Sequence, residues 1–459
     1  MRKLLFLLAL AIPLFAQDLI SDTQELTDRI GGRVTGSAAC ERAEKWAEEK
    51  LHKAGVDSVK LESYVLPNYW IDRGATADAL APEKFSLRIA AAPMTIATPV
   101  AGIEAELVDF GDGSPEALAK VTKAAGKIAF VHTPLMKSLD DLFGDYMRIN
   151  GLLAAAKTSG VAAMLIESSQ ARSLLYRHPM SLDGSITELP VAIVARDHAE
   201  RLARLMANGP VRVRVKMASE VRKNQVAHNV AGTIRGTDKA DELVLFGAHL
   251  DSWDLGTGAL DNGINSATVI DVARVIAKSG KRPRRTMRFV LFTGEEQGMI
   301  GSRAYVREHF AEMPKVALMM TADIGSGKAL GYFLNGREEL RKGAESGGLK
   351  ENPIDALDGT DNFDFILAGV PNLVVWQDPS PYFGEYHAES DTFDKIDQPQ
   401  ARANSFTEAN VLLYFANADG RAAQQSRAEI DKLLVERQLV DQMKAFGQWE
   451  GWANGTRWK

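Results

Sequence analysis

The chain of 459 residues is poor in cysteine, with Cys40 standing alone. A single thiol excludes an intrachain disulfide framework and a thiolate metal cluster. It also leaves the chain indifferent to an oxidising compartment. No His or Asn motif accompanies Cys40, so it reads as a small, at least half-buried residue at a helix start, not a nucleophile. A basic excess is missing too. Lys plus Arg total 54 against 60 Asp plus Glu, a formal charge of −6, which leaves no electrostatic footprint for nucleic acid. The one basic knot, Lys281-Arg282-Pro283-Arg284-Arg285, reads as a solvated loop before a strand. The apolar run over residues 4–16 is too short to span a bilayer as a helix.

What is present is ordinary for a globular protein: 46% hydrophobic and 25% charged residues. At roughly 150 residues per domain the length predicts two or three domains. Arg2 and Lys3, the short apolar run and the small Ala16 before Gln17 predict a secretory signal peptide over residues 1–16, hence a secreted or periplasmic protein with no membrane span in the mature chain.

Residues 37–55 alternate at helical spacing, with Trp46, Ala47 and Leu51 on one face and Gly55 as a stop. Residues 59–65 alternate like a strand. The stretch 98–215 holds short β-like pieces separated by helical ones, with His132, His178 and His198 occurring singly as structural or exposed residues. From Asn229 onward, apolar strands at 243–246, 287–292, 316–320 and 372–376 alternate with helical segments, one of them at 263–279. Such alternation predicts a mostly parallel sheet covered by helices. Ligands of such sheets gather at the carboxyl ends of the strands.

Those ends carry chemistry. His249 and Asp251 follow the first strand, and a turn bearing Asp261 precedes the helix. Glu295-Glu296 between glycines follows the second strand; adjacent carboxylates repel, and a cation would relieve them. Asp323 follows the third, and Tyr386-His387 with Asp391 lie beyond the fourth. Each has a bland reading alone, Asp261 as a helix cap for example. Two His with several carboxylates on one side of one sheet suit a pair of zinc ions with one bridging carboxylate.

The stretches His249-Leu250-Asp251-Ser252-Trp253-Asp254, Gly258-Ala259-Leu260-Asp261, Glu295-Glu296-Gln297-Gly298, Gly359-Thr360-Asp361, Ala368-Gly369-Val370-Pro371 and His387 with Asp391-Thr392 resemble the co-catalytic zinc exopeptidase family, which includes bacterial leucyl aminopeptidases. Trp70-Ile71-Asp72-Arg73-Gly74 resembles the same family. The resemblance implies an α/β fold, a mostly parallel mixed sheet flanked by helices, with a β-rich protease-associated domain inserted. The divisions expected are residues 17–97 and 218–459 for the catalytic domain and 98–217 for the insert.

Carried over, the resemblance implies that His249 and Asp323 bind one Zn²⁺, Glu296 and His387 bind a second, and Asp261 bridges them before a cis Asp261–Asn262 peptide. It implies Glu295 as general base acting on a metal-activated water, Asp251 as the group orienting His249, and Tyr386 as a substrate-binding candidate. The activity implied is hydrolysis of dipeptides or short peptides with a free N-terminus, of dipeptidase or carboxypeptidase type, with aminopeptidase action as the alternative. A receptor-like ectodomain and a single-zinc cyclising aminoacyltransferase are the rivals, and the intact ligand set argues against both. Peptide is the expected partner. The tail tryptophans Trp449, Trp452 and Trp458 are read as packing either on the body or on a partner subunit in a homodimer.

Overall fold

The strand Lys239–His249 is buried without a break from Leu243 to its end. A strand apolar on both faces must be covered on both, as in parallel sheets. It pairs in parallel with Arg285–Phe292 on one side and with Val316–Thr321 on the other. Asn372–Gln377 continues the parallel order beyond Val316–Thr321. The flanks are antiparallel: Ala329–Phe333 against Asn372–Gln377, and the end of Arg212–Ile234 against Arg285–Phe292. The helix Ile264–Lys278 is buried along almost its whole first three turns and belongs to the core with Val244, Phe246, Phe289 and Met320. The helix Ala38–Ala54 lays Ala43, Trp46, Ala47 and Leu51 on that core. Ser37 caps it by accepting from the Cys40 amide at 3.2 Å, and Gly55 ends it in the left-handed conformation. Each fully buried Leu, Phe or Met here contributes roughly 1.5–3 kcal/mol, so the carboxyl ends of the central strands rest on a stiff base.

This computed structural model describes residues 12–458. Most of the expected leader therefore lies outside the described residues; the helix Ile12–Gln24 begins within it. The chain divides into two compact units. The first takes in the chain up to Val65, Val226–Tyr382, and everything from Asp391 onward. The second is Leu66–Gln225 together with Phe383–Ser390. Its sheet runs, in order, through the start of Arg212–Ile234, Ile103–Asp109, Ile128–Val131, Ala163–Glu167, Val191–Val194 and Ile89–Ala91. The middle pairs are parallel and the outer ones antiparallel, with the helices Leu139–Ser159 and Arg196–Met206 interleaved. The second unit is wider than the stretch 98–217, because the strand Ser58–Ala81 runs on past Val65 into it and a short return segment completes it.

Two readings of local sequence need correction or completion. Arg285, the last residue of the basic knot, is not solvated: only 1% exposed, it donates to Glu242 Oε2 at 2.6 Å and to the carbonyls of Phe415, Ala418 and Gly420. It opens a strand, so its side chain turns into the fold, whereas Arg282 and Arg284 stay outside on Asp57, Asp238 and Asp419. In the tail, Trp452 is buried with Ile430, Leu433, Leu434 and Met443 of its own chain.

Candidate metal centre

His249 is the last residue of the central strand and is 1% exposed. Its Nδ1 lies 3.0 Å from the carbonyl of Asp251. A carbonyl only accepts, so the hydrogen belongs on Nδ1 and the Nε2 lone pair is left outward. Nε2 faces Asp323 Oδ1 at 2.9 Å and Asp261 Oδ1 at 3.2 Å. A neutral ring would set that lone pair against two anions. The geometry therefore demands positive charge between the three groups, either a proton or a metal ion. Burial works against a charged ring, but Asp323 and Glu295 outweigh it and raise its pKa well above the ordinary value. One donor atom from each of His249, Asp261 and Asp323 lies within 4.8 Å of the others. One imidazole nitrogen with carboxylate oxygens is a donor set that fits zinc.

Asp251 holds the ring through its main chain; its own carboxylate is 3.6 Å from Nδ1. That carboxylate is committed elsewhere. Oδ2 accepts from Thr35 Oγ1 at 2.6 Å, and Thr35 in turn accepts from the Gly294 amide at 2.9 Å. Thr35 thus ties the His249 loop to the turn that presents Glu295 and Glu296. That turn needs Gly294, which has φ +79° and where a Cβ would stand 2.8 Å from Tyr64 Oη. Glu296 is buried and Glu295 nearly so. Burial raises Glu295 well above the carboxylate range; His249 opposes the rise, and Asp323, Glu296 and Asp361 add to it. Asp323 is raised as well, by burial first.

Asp261 sits on an irregular turn whose Asp261–Asn262 peptide is cis, as the resemblance implies. The turn is held from two sides. Asp391 Oδ1 accepts from the amides of Ala259 at 3.1 Å and Leu260 at 2.7 Å, and its Oδ2 from the amide of Asp261 at 3.1 Å. Arg33, fully buried, donates to the carbonyls of Leu250, Gly31, Thr257 and Gly258. Tyr382 Oη donates to Asp261 Oδ2 at 2.9 Å. Thr35 and Arg33 were not singled out from the sequence because neither lies near a site motif, and Tyr382, only five residues before His387, carries no local signal of its own; each acts across more than 100 positions of chain.

His387 and Tyr386 lie in the return segment of the second unit. Tyr386 Oη is 2.8 Å from Tyr146 Oη, and its ring stacks on His387 with centroids 3.7 Å apart. The structure thus gathers His249, Asp251, Asp261, Glu295, Glu296 and Asp323 in the first unit, and carries Tyr386 and His387 on the second.

Comparison with known proteins agrees with this chemistry. A family model described as Peptidase family M28 matches residues 229–412, a span that contains His249, Asp251, Asp261, Glu295, Glu296, Asp323, Tyr386 and His387. Carboxypeptidase Q of Xenopus laevis is 31% identical over 376 residues, covering 80% of this chain and 78% of that one. A solved structure of a peptidase M28 precursor from Shewanella amazonensis SB2B has a TM-score of 0.81 at 30% identity, covering 91% of this chain and 98% of that one. A zinc aminopeptidase from Bacillus subtilis shares the fold, with a TM-score of 0.69 at 21% identity over 89% of this chain and 96% of its own. The chain belongs to peptidase family M28, and it is a metallo-exopeptidase.

Proposed function

We propose that this chain is a dinuclear zinc exopeptidase hydrolysing dipeptides or short peptides with a free N-terminus. His249 and Asp323 would hold one ion, Glu296 and His387 the other, and Asp261 both. The ions supply Lewis acidity toward the scissile carbonyl and a water of lowered pKa. Glu295 would take a proton from the attacking water on its carboxylate and return it to the nitrogen of the leaving amine. Asp251 and Thr35 keep His249 and the Glu295 turn in register, and Tyr386 faces substrate. The observation that carries the reading is the Nε2 of His249 aimed at two carboxylates while its Nδ1–H is spent on a carbonyl. Dipeptidase or carboxypeptidase action is favoured over aminopeptidase action by the 31% identical relative named carboxypeptidase Q. We read the second unit as a protease-associated insert. We place the activity outside the cytoplasm, on the strength of the apolar leader; no described helix is long and apolar enough to cross a membrane.

The test is metal removal combined with base removal. Chelation should abolish hydrolysis of unblocked dipeptides, and Zn²⁺ should restore it, with elemental analysis reading two ions per chain. Glu295→Gln should keep both ions and lose on the order of 10²–10⁴-fold in kcat. Glu296→Gln should instead weaken one ion. Full turnover in demetallated protein, or a Glu295→Gln variant that sheds an ion, overturns the assignment.

A further inference from the structure

The ring of His387 is held by the second unit itself. Its Nδ1 lies 2.9 Å from the carbonyl of Arg177, and the Arg177 amide donates back to the His387 carbonyl at 3.0 Å. As at His249, an acceptor-only partner puts the hydrogen on Nδ1 and leaves the Nε2 lone pair for a metal. Next to this pair, Tyr176 and Ala388 form an antiparallel bridge. His387 has φ +53°, a left-handed conformation uncommon for a residue with a Cβ. The two bonds to the Arg177 main chain, one from the His387 ring and one to its carbonyl, fix it there.

What fixes Arg177 is the stretch around Trp70, to which the family resemblance attaches no role. Arg177 Nη1 donates to Asp72 Oδ2 at 3.1 Å and to the carbonyl of Ala91 at 2.7 Å. Its guanidinium stands 5.5 Å from the ring centroid of Trp70. Trp70 is fully buried and donates from Nε1 to the Thr95 carbonyl at 2.9 Å. Asp72 is pinned by the Gly74 amide on its other oxygen at 2.8 Å. The arginine is itself nearly buried, so its charge is compensated within this cluster.

We propose that Arg177, clamped by Asp72 and Trp70, is a positioning residue for His387, so that the second unit sets the tautomer and aim of a metal ligand. The inference rests on His387 being a ligand, as proposed above. Releasing the clamp keeps the Arg177 carbonyl in the chain but no longer holds its position, and loss of such outer partners typically costs about 10–100-fold in metal affinity.

The test compares wild type, His387→Ala, Asp72→Asn, Arg177→Met and Arg177→Lys in the full chain. Zinc affinity is read by competition with a chromophoric chelator, the ligand field by absorption of the cobalt(II)-substituted protein, and folding by circular dichroism of the metal-free protein. His387→Ala should lose one of two binding steps. Asp72→Asn and Arg177→Met should weaken that same step about 10–100-fold, shift the cobalt bands of one site, and leave the other step and the metal-free fold intact. Arg177→Lys, which keeps the charge beside Asp72, should recover part of the affinity. If His387→Ala keeps both steps, the ligand assignment falls. If His387→Ala loses a step but Asp72→Asn binds zinc like wild type with unshifted cobalt bands, the positioning proposal alone falls. Should Arg177→Met fail to fold, Asp72→Asn decides.

Discussion

Glu408 offers a test of the fold's electrostatics well away from the metal ligands. It lies on the helix Gln398–Asn417 with no exposed surface, and neither carboxylate oxygen has a hydrogen-bond partner among the described residues. Burial pushes its carboxyl from an ordinary value near 4.5 up to about 8. Between those two values the folded protein keeps a proton that the unfolded chain releases. Stability contributed by this group is therefore complete below pH 4.5 and drains away as pH rises, by about 1.4 kcal/mol per pH unit, until pH 8. The accumulated loss is on the order of 4 kcal/mol. Glu408→Gln has nearly the same shape and cannot ionise. It should match wild type near pH 4.5 and exceed it increasingly toward pH 8. At about 2.1 cal/mol/K per residue of unfolding entropy, the gap at pH 8 corresponds to about 4 °C in melting temperature. Paired thermal melts at pH 5, 6.5 and 8, with zinc held constant, measure it; the wild-type comparison at each pH cancels the pH dependence of metal binding. A gap that stays flat with pH, or a variant less stable than wild type at pH 8, would refute the reasoning.

Asp391→Ala should strip three buried amides of their acceptor, cost at least about 3 kcal/mol, and release zinc to a chelator faster than wild type; an unchanged melt and unchanged zinc retention would contradict the capping role. Tyr382→Phe should fold normally but weaken zinc binding by about tenfold, read by chelator competition, because Asp261 loses the donor at 2.9 Å. Cys40 is fully buried and its thiol is pushed well up by burial. A disulfide reagent should therefore label the native protein very slowly and the denatured protein at once; rapid native labelling would place the thiol at the surface.

The parts of this structure legible in sequence are those specified locally. The helix Ala38–Ala54 announced itself by a Ser cap, a 3.6-residue apolar period and a closing Gly. The central parallel strands did so by unbroken apolar runs, and His249, Glu295, Glu296 and Asp323 by standing where those runs stop. Less legible was whatever depends on distant chain. The antiparallel strand Ala329–Phe333 carries Gly331 and no β-branched residue, and its place is set by distant chain: by Asn372–Gln377 along its edge and by the side chains of Asn352 and Asn404, which accept from its amides. Arg285 looked like surface charge because its compensating carbonyls come from positions 415–420. Arg33 and Thr35 precede a helix in an unremarked loop, yet their partners lie more than 200 residues on. Asp251 was singled out as the partner of His249, but its nearest contact to the ring is the main-chain oxygen, which sequence does not distinguish from the carboxylate.

The discontinuous make-up of the second unit sets a clock on its maturation. The stretch Leu66–Gln225 leaves the ribosome long before Phe383–Ser390, and the latter contributes Glu385 to Arg172, Glu389 to Arg88 and to the Leu175 amide, and the ring and carbonyl of His387 to the main chain of Arg177. At a synthesis rate of roughly 5–20 residues per second, the early part waits on the order of ten seconds or more for its last segment. Until then the loop from Ser168 to Arg177 has nothing to close against at those positions. A fragment ending at Gln225 would stay in that unfinished state, and so would a nascent chain paused before Phe383, which makes the interval the natural window for a protease or a chaperone to act on this protein.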